Sequence, residues 1–222
     1  MIDHVTELLV ARGVAATWLV THASPAIDRL RAHPDLFELG IHPNFAAGST
    51  HGSTPEEVLE HCLAIVPEAR CMRTHGLLQS SPLLAVTRNT TPIRVDLSLF
   101  LPHARLAELL HYPVAGGETM LRIPHIWEDD AEMLAPEPSW STAALAAETG
   151  GLAVFCFHPV HVYLNAAGGE PYEALRTRGY PHVTAQDARP LIHEGPGTGT
   201  AFMELVELGS RRIADLAYAV AG

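Results

Sequence analysis

The chain has 222 residues, 47% of them hydrophobic and 18% charged, which suits one large α/β domain with a sizeable core and excludes a disordered chain. Fourteen Lys and Arg against 25 Asp and Glu give a formal net charge of −11, which excludes a general nucleic-acid binder because phosphate recognition needs a basic footprint. Its apolar runs fall short of the roughly 18–20 residues of a membrane span, and the start Met1-Ile2-Asp3-His4-Val5 has neither a basic n-region nor a cleavable apolar core. The expectation is a cytoplasmic protein with no membrane partner. Cys62, Cys71 and Cys156 are odd in number and lack CxxC spacing, which fits buried thiols in a reducing compartment.

Residues 3–12 are expected to form a helix with Asp3 as its cap, Val5, Leu8 and Leu9 on its buried face, and Gly13 as its stop. Residues 14–21 are strand-like, Ser24-Pro25 starts a helix with proline in the tolerated first turn, and residues 35–42 form the next strand. Thr54-Pro55-Glu56-Glu57 is a capping box ahead of the apolar stripe Val58, Leu59, Cys62, Leu63 and Val66. A strand over 69–75, a short helix opened by Ser81-Pro82 and a strand over 93–100 follow. Residues 101–140 are less regular. Residues 141–149 read as a helix, 152–158 as a buried strand and 200–221 as one long amphipathic helix. This alternation predicts βαβ units around a parallel sheet, in one domain spanning 1–222. The segment Gly195-Pro196-Gly197-Thr198-Gly199 reads first as a flexible turn and only second as a phosphate loop, since no clear strand precedes it.

Three strand-like runs end on a histidine that proline or glycine then breaks: His42-Pro43, His75-Gly76 and His158-Pro159, with a weaker copy at Pro124-His125. In an α/β barrel the strand ends converge on the rim where chemistry is placed, so these histidines read as one metal centre or acid–base constellation. His42 and His51 share a strand-to-helix loop and can both reach a divalent metal as neutral imidazoles, unless His51 merely decorates a polar loop. Arg73 and His75 lie two apart on a strand and face the same way. Arg73 either holds a carboxylate through its planar fork or forms a stabilising ion pair, and both need an acidic neighbour. His158 and His161 flank Pro159-Val160, where an acidic neighbour would poise a histidine as a general acid. Trp127-Glu128-Asp129-Asp130 is either a solvated acidic loop or the source of a ligand, a base or a partner for Arg73 or a histidine, with Trp127 as an apolar wall. A serine nucleophile is disfavoured because G-x-S-x-G does not occur, and Cys71 and Cys156 sit before the strand ends.

The ordered segments 14–21, Glu38-Leu39-Gly40-Ile41-His42-Pro43-Asn44-Phe45, Gly48-Ser49-Thr50-His51-Gly52, Arg73-Thr74-His75, Ile123-Pro124-His125-Ile126-Trp127-Glu128-Asp129-Asp130 and Phe157-His158-Pro159-Val160-His161-Val162-Tyr163-Leu164-Asn165 resemble the polysaccharide deacetylase (NodB-homology) superfamily. More narrowly they resemble its WbmS-like branch, over nearly the whole chain. The resemblance implies a distorted (β/α) barrel and one divalent metal, zinc or similar, held by an aspartate and two histidines. It implies an acyl group removed from an N-acylated sugar or related amide, with a late histidine protonating the amine. Carried onto this chain, His42 and His51 are the metal histidines, Arg73 the motif arginine, Asp129 or Asp130 the acidic partner and His158 the late histidine. Asn44, His75, His125, Trp127 and His161 are the residues expected to contact substrate or support those groups. In the family a first strand carrying aspartates precedes the helix that here begins near Asp3. The chain starts at that helix, so the metal site is expected to be incomplete unless Asp96, Asp129 or Asp130 supplies the charge. Unpaired edges beside a missing strand predict poor solubility or a homodimer. Two functional expectations result: a metal-dependent amide hydrolase, or an inactive relative that binds a glycan or precursor without turnover.

Overall fold

In the computed structural model, which describes residues 1–179 and 183–221, two compact units are distinguished. The unit made of residues 15–101, 107–125 and 211–222 holds a six-stranded sheet. Its strands are β1 (Ala16–Val20), β2 (Phe37–Ile41), β3 (Cys71–Met72), β4 (Val95–Asp96), β5 (Leu110–Pro113) and β6 (Thr119–Arg122), in the order β1-β2-β3-β4-β6-β5. All neighbours are parallel except the β5–β6 hairpin, and the register runs Ile41↔Met72, Met72↔Asp96 and Asp96↔Arg122. Ile41, Cys71 and Met72 are fully buried, as expected of strands covered on both faces. Gly40 is required by packing: a Cβ there would lie 2.5 Å from Cys71 Sγ and 2.8 Å from its carbonyl oxygen. The strand expected over 93–100 is only two residues long because Asp96 Oδ1 accepts the Ser98 N–H at 3.1 Å, a local bond that competes with the ladder. The run over 69–75 shortens likewise, with His75 opening a 3₁₀ turn that holds Gly76 and Leu77 at positive φ.

The other unit comprises residues 1–14, 102–106 and 126–210. Here β7 (Trp127–Glu128) pairs in parallel with β8 (Phe155–Cys156), and Trp127 packs on Phe155, Phe157 and Trp140. Helices Ile2–Arg12, Pro159–Leu164 and Thr198–Leu208 surround this core.

The capping box at Thr54 is formed, with Thr54 Oγ1 accepting the Glu57 N–H and Glu57 Oε2 accepting the Thr54 N–H. Helix Ser81–Thr90 opens at Ser81-Pro82 as expected, with Ser80 Oγ accepting the Leu83 N–H as its cap. Two expected boundaries differ. The first helix begins at Ile2, so Asp3 lies inside its first turn, where a carboxylate favours the positive end of the helix. The long final helix is two helices, Thr198–Leu208 and Ile213–Ala221, parted at Gly209 with φ +77°. The glycine-rich segment has no room for phosphate at its helix. Asn165, in the left-handed conformation, places its Oδ1 3.0 Å from the Thr200 N–H and donates from Nδ2 to the carbonyls of His193 and Gly195. Among the described residues, no helix is long and apolar enough to cross a membrane.

Candidate active site

Two histidine clusters stand at strand ends, one in each unit. In the sheet unit His42 directly follows β2, with its N–H bonded to Val20 O at 2.9 Å. Its ring is buried, and its Nε2 lies 3.4 Å from Nδ1 of the exposed His75. His51 is also buried. Its Nδ1 accepts the Asn44 N–H at 3.2 Å and lies 3.5 Å from Cys62 Sγ. The His51 ring stacks on His61 with centroids 4.8 Å apart and meets His22 edge-on at 5.2 Å. Burial first, then the charges of His61, His22 and His75, push the His51 pKa below the ordinary histidine value. That keeps His51 neutral, the form in which an imidazole ligates a metal. Arg73 is buried at the end of β3, its N–H bonded to Ile41 O.

A divalent metal fits this pair in kind and not in number. Two neutral imidazoles are donors that zinc takes, but catalytic zinc sites use three protein ligands. Among the described residues, no third His, Cys, Asp or Glu atom joins His42 and His51 within the reach of one ion. A neutral His51 accepting at Nδ1 also carries its proton on Nε2, so ligation requires that hydrogen bond or that proton to be given up.

In the other unit, Asp129, Asp130, His158 and His161 bring one ligand-type atom each within 4.8 Å of one another. Asp129 is fully buried at the end of β7. Its Oδ2 accepts the His158 backbone N–H at 2.7 Å, and its Oδ1 lies 2.7 Å from His158 Nδ1 and accepts the Asp130 N–H at 2.9 Å. Burial would raise this carboxyl's pKa, but the hydrogen bonds from His158 and the close His161 imidazole outweigh it and hold the group well below the usual carboxylate range. An ionised carboxylate only accepts, so His158 Nδ1 carries the proton between them. Asp129 is thus already engaged by N–H donors, the state of an orienting group. His161, in the first turn of helix Pro159–Leu164, has Nδ1 3.2 Å from Asp130 Oδ1 and 3.4 Å from Asp129 Oδ2.

Two other expected residues are held in the core. His125 is stacked on Phe100 at 4.8 Å with Nδ1 3.2 Å from Leu97 O. Trp127 is 1% exposed, with its indole N–H donated to Ser139 O, and has no open face for a sugar ring. His22 and His61 join the cluster around His51 although neither was among the expected site residues, and Cys62, expected on a buried helix stripe, lies against His51. Val20-Thr21-His22 repeats the strand-then-histidine pattern and could have been found by it, whereas His61 and Cys62 lie on a helix.

A mostly parallel sheet with histidines at its strand ends, and an aspartate–histidine pair held by β7 and β8, define the polysaccharide deacetylase class of fold. The crystal structure of WbmS from Bordetella bronchiseptica, described as a candidate polysaccharide deacetylase involved in O-antigen biosynthesis, is similar, with a TM-score of 0.78 and 27% identity. The similarity covers 94% of this chain and 85% of that one. The chain belongs to the WbmS-like polysaccharide deacetylase family, whose profile matches residues 1–176. No curated protein matches the chain in sequence.

Proposed function

We propose that the chain removes the acyl group from an N-acylated sugar or a related amide, with His158 protonating the departing amine. The observation that carries this reading is the 2.7 Å contact between His158 Nδ1 and the fully buried Asp129. An amine leaves a tetrahedral centre readily only after its nitrogen takes a proton. An imidazole whose Nδ1–H is tied to a carboxylate passes that proton through Nε2, and the bond fixes both tautomer and ring orientation. Asp129 orients, and Asp130, exposed beside both imidazoles, is the second carboxylate of the site. His42 and His51 are the two imidazoles of this chain that would take part in holding a divalent ion, whose chemistry is to polarise a carbonyl and acidify bound water. His75 supports His42 through their 3.4 Å contact.

The missing third ligand beside His42 and His51 favours a second reading, in which the protein binds an N-acylated glycan without turnover. Elemental analysis of the purified protein, the His42→Ala/His51→Ala double variant and His158→Asn, with amine release from N-acetylated oligosaccharides, separates the two. The expected result is metal in the wild type and in His158→Asn but not in the double variant, and amine release by the wild type alone. Equal metal in wild type and double variant would refute the ligand assignment. Saturable glycan binding without amine release would establish the second reading.

A further inference from the structure

The cluster holds one more histidine than a proton donor and its orienting carboxylate require. His161 is 4% exposed, and its Nδ1 faces Asp129 and Asp130 together, at 3.4 and 3.2 Å. His158 Nδ1 faces the same two carboxylates, at 2.7 and 3.6 Å. The titratable groups touching His161 are these two aspartates, His158 at 5.4 Å between ring centroids, and Tyr172 of helix Glu170–Arg176, edge-on at 5.4 Å. Helix Ile2–Arg12, packed on helix Pro159–Leu164, brings His4 against Tyr163 instead.

Resting on the reading of His158 as proton donor, we propose that His161 is a positioning residue that shares Asp129 and Asp130 with His158 and so sets how tightly His158 holds its proton. Two adjacent carboxylates facing one imidazole would bind its proton firmly, which suits an ion pair and hinders an acid that must release it. A second imidazole nitrogen against the same oxygens, at 3.2 and 3.4 Å but without the alignment of a hydrogen bond, draws off part of that attraction. Asp130 is the adjustable half, because it is exposed while Asp129 is buried.

The test is a heteronuclear NMR titration of the histidine rings in the full chain, which needs no turnover, run beside the pH profile of amine release. His161→Asn should move the His158 midpoint up by about 0.5–1 pH unit, and Asp130→Asn should move it down by a similar amount, as expected for loss of one near charge or donor. The alkaline limb of the activity profile should follow in both variants. A merely structural His161 would lower stability and leave the His158 midpoint in place. A His158 midpoint unmoved by both variants, or moved the same way by both, overturns the proposal. So does simultaneous loss of the His158 and His161 titrations on adding zinc alone, which would make the four side chains a metal site. Opposite midpoint shifts without amine release would sustain the positioning role and defeat only the deacetylase reading.

Discussion

Asp129 is the residue on which the site's protonation depends, and its burial has a consequence for stability as well as for turnover. Its folded pKa lies below the ordinary carboxylate value, so the ionised form stabilises the fold above the unfolded pKa of about 3.9. That contribution is complete at neutral pH and is lost as pH falls from about 4 toward the folded value. Urea midpoints of the wild type should therefore fall steeply below pH 4, and those of Asp129→Asn should fall less over the same range. If the deacetylase reading holds, the variant should also lose about 100-fold or more in kcat, since His158 loses its acceptor and its fixed tautomer. A parallel acid dependence in the two proteins would place the acid-sensitive group elsewhere. The sequence offered Asp129 and Asp130 as a ligand, a base or a partner for Arg73 or a histidine, and only the folded chain sets Asp129 against His158. That His161 is buried between the same carboxylates was not legible either, since two histidines three apart say nothing of which way each ring turns.

At the scale of elements, β2 delivers His42, and Gly40 sets how closely β2 lies against β3. A methyl group on Gly40 would meet backbone as well as side chain: Cys71 O at 2.8 Å, Cys71 Sγ at 2.5 Å and Leu19 Cδ2 at 2.9 Å. Neither backbone nor a fully buried cysteine can swing aside, so the strands must part. Gly40→Ala should cost about 1–3 kcal/mol in urea unfolding, the range of overpacking in a close-packed core. His42, which directly follows β2, should move with it. A variant as stable as the wild type would show that the sheet yields easily here. Elements announced by local chemistry, such as the Thr54 capping box, were legible in the chain. Those decided by distant partners were not. Asp96 truncates β4 by taking the Ser98 N–H, and Asn165, far along the chain from Thr200, fills the helix end that the glycines made look like an anion site. Gly209 is a single residue within an apolar periodicity, and only its positive φ reveals that it divides the helix.

For the molecule as a whole, the charge balance decides which glycans can approach. The net charge is −11 with histidines neutral, and protonating eleven of the fourteen histidines would cancel it. At pH 7.5 the protein therefore repels polyanions over distances comparable to the Debye length, about 10 Å at 0.1 M salt, while a neutral sugar feels only the local site. If the deacetylase reading holds, kcat/KM for a neutral N-acetylated oligosaccharide should be flat between about 20 and 300 mM salt. For an N-acetylated glycan carrying carboxylates it should rise with salt as the repulsion is screened. Lowering the pH toward 6 at low salt should narrow the gap between the two substrates, because histidine protonation removes the negative field. Steady-state rates on the two substrates across salt and pH measure this directly. A rate on the anionic glycan that falls as salt is added would mean that a local cationic group, with Arg73 at the end of β3 the first to test by Arg73→Gln, recognises the carboxylate strongly enough to override the field of the whole chain.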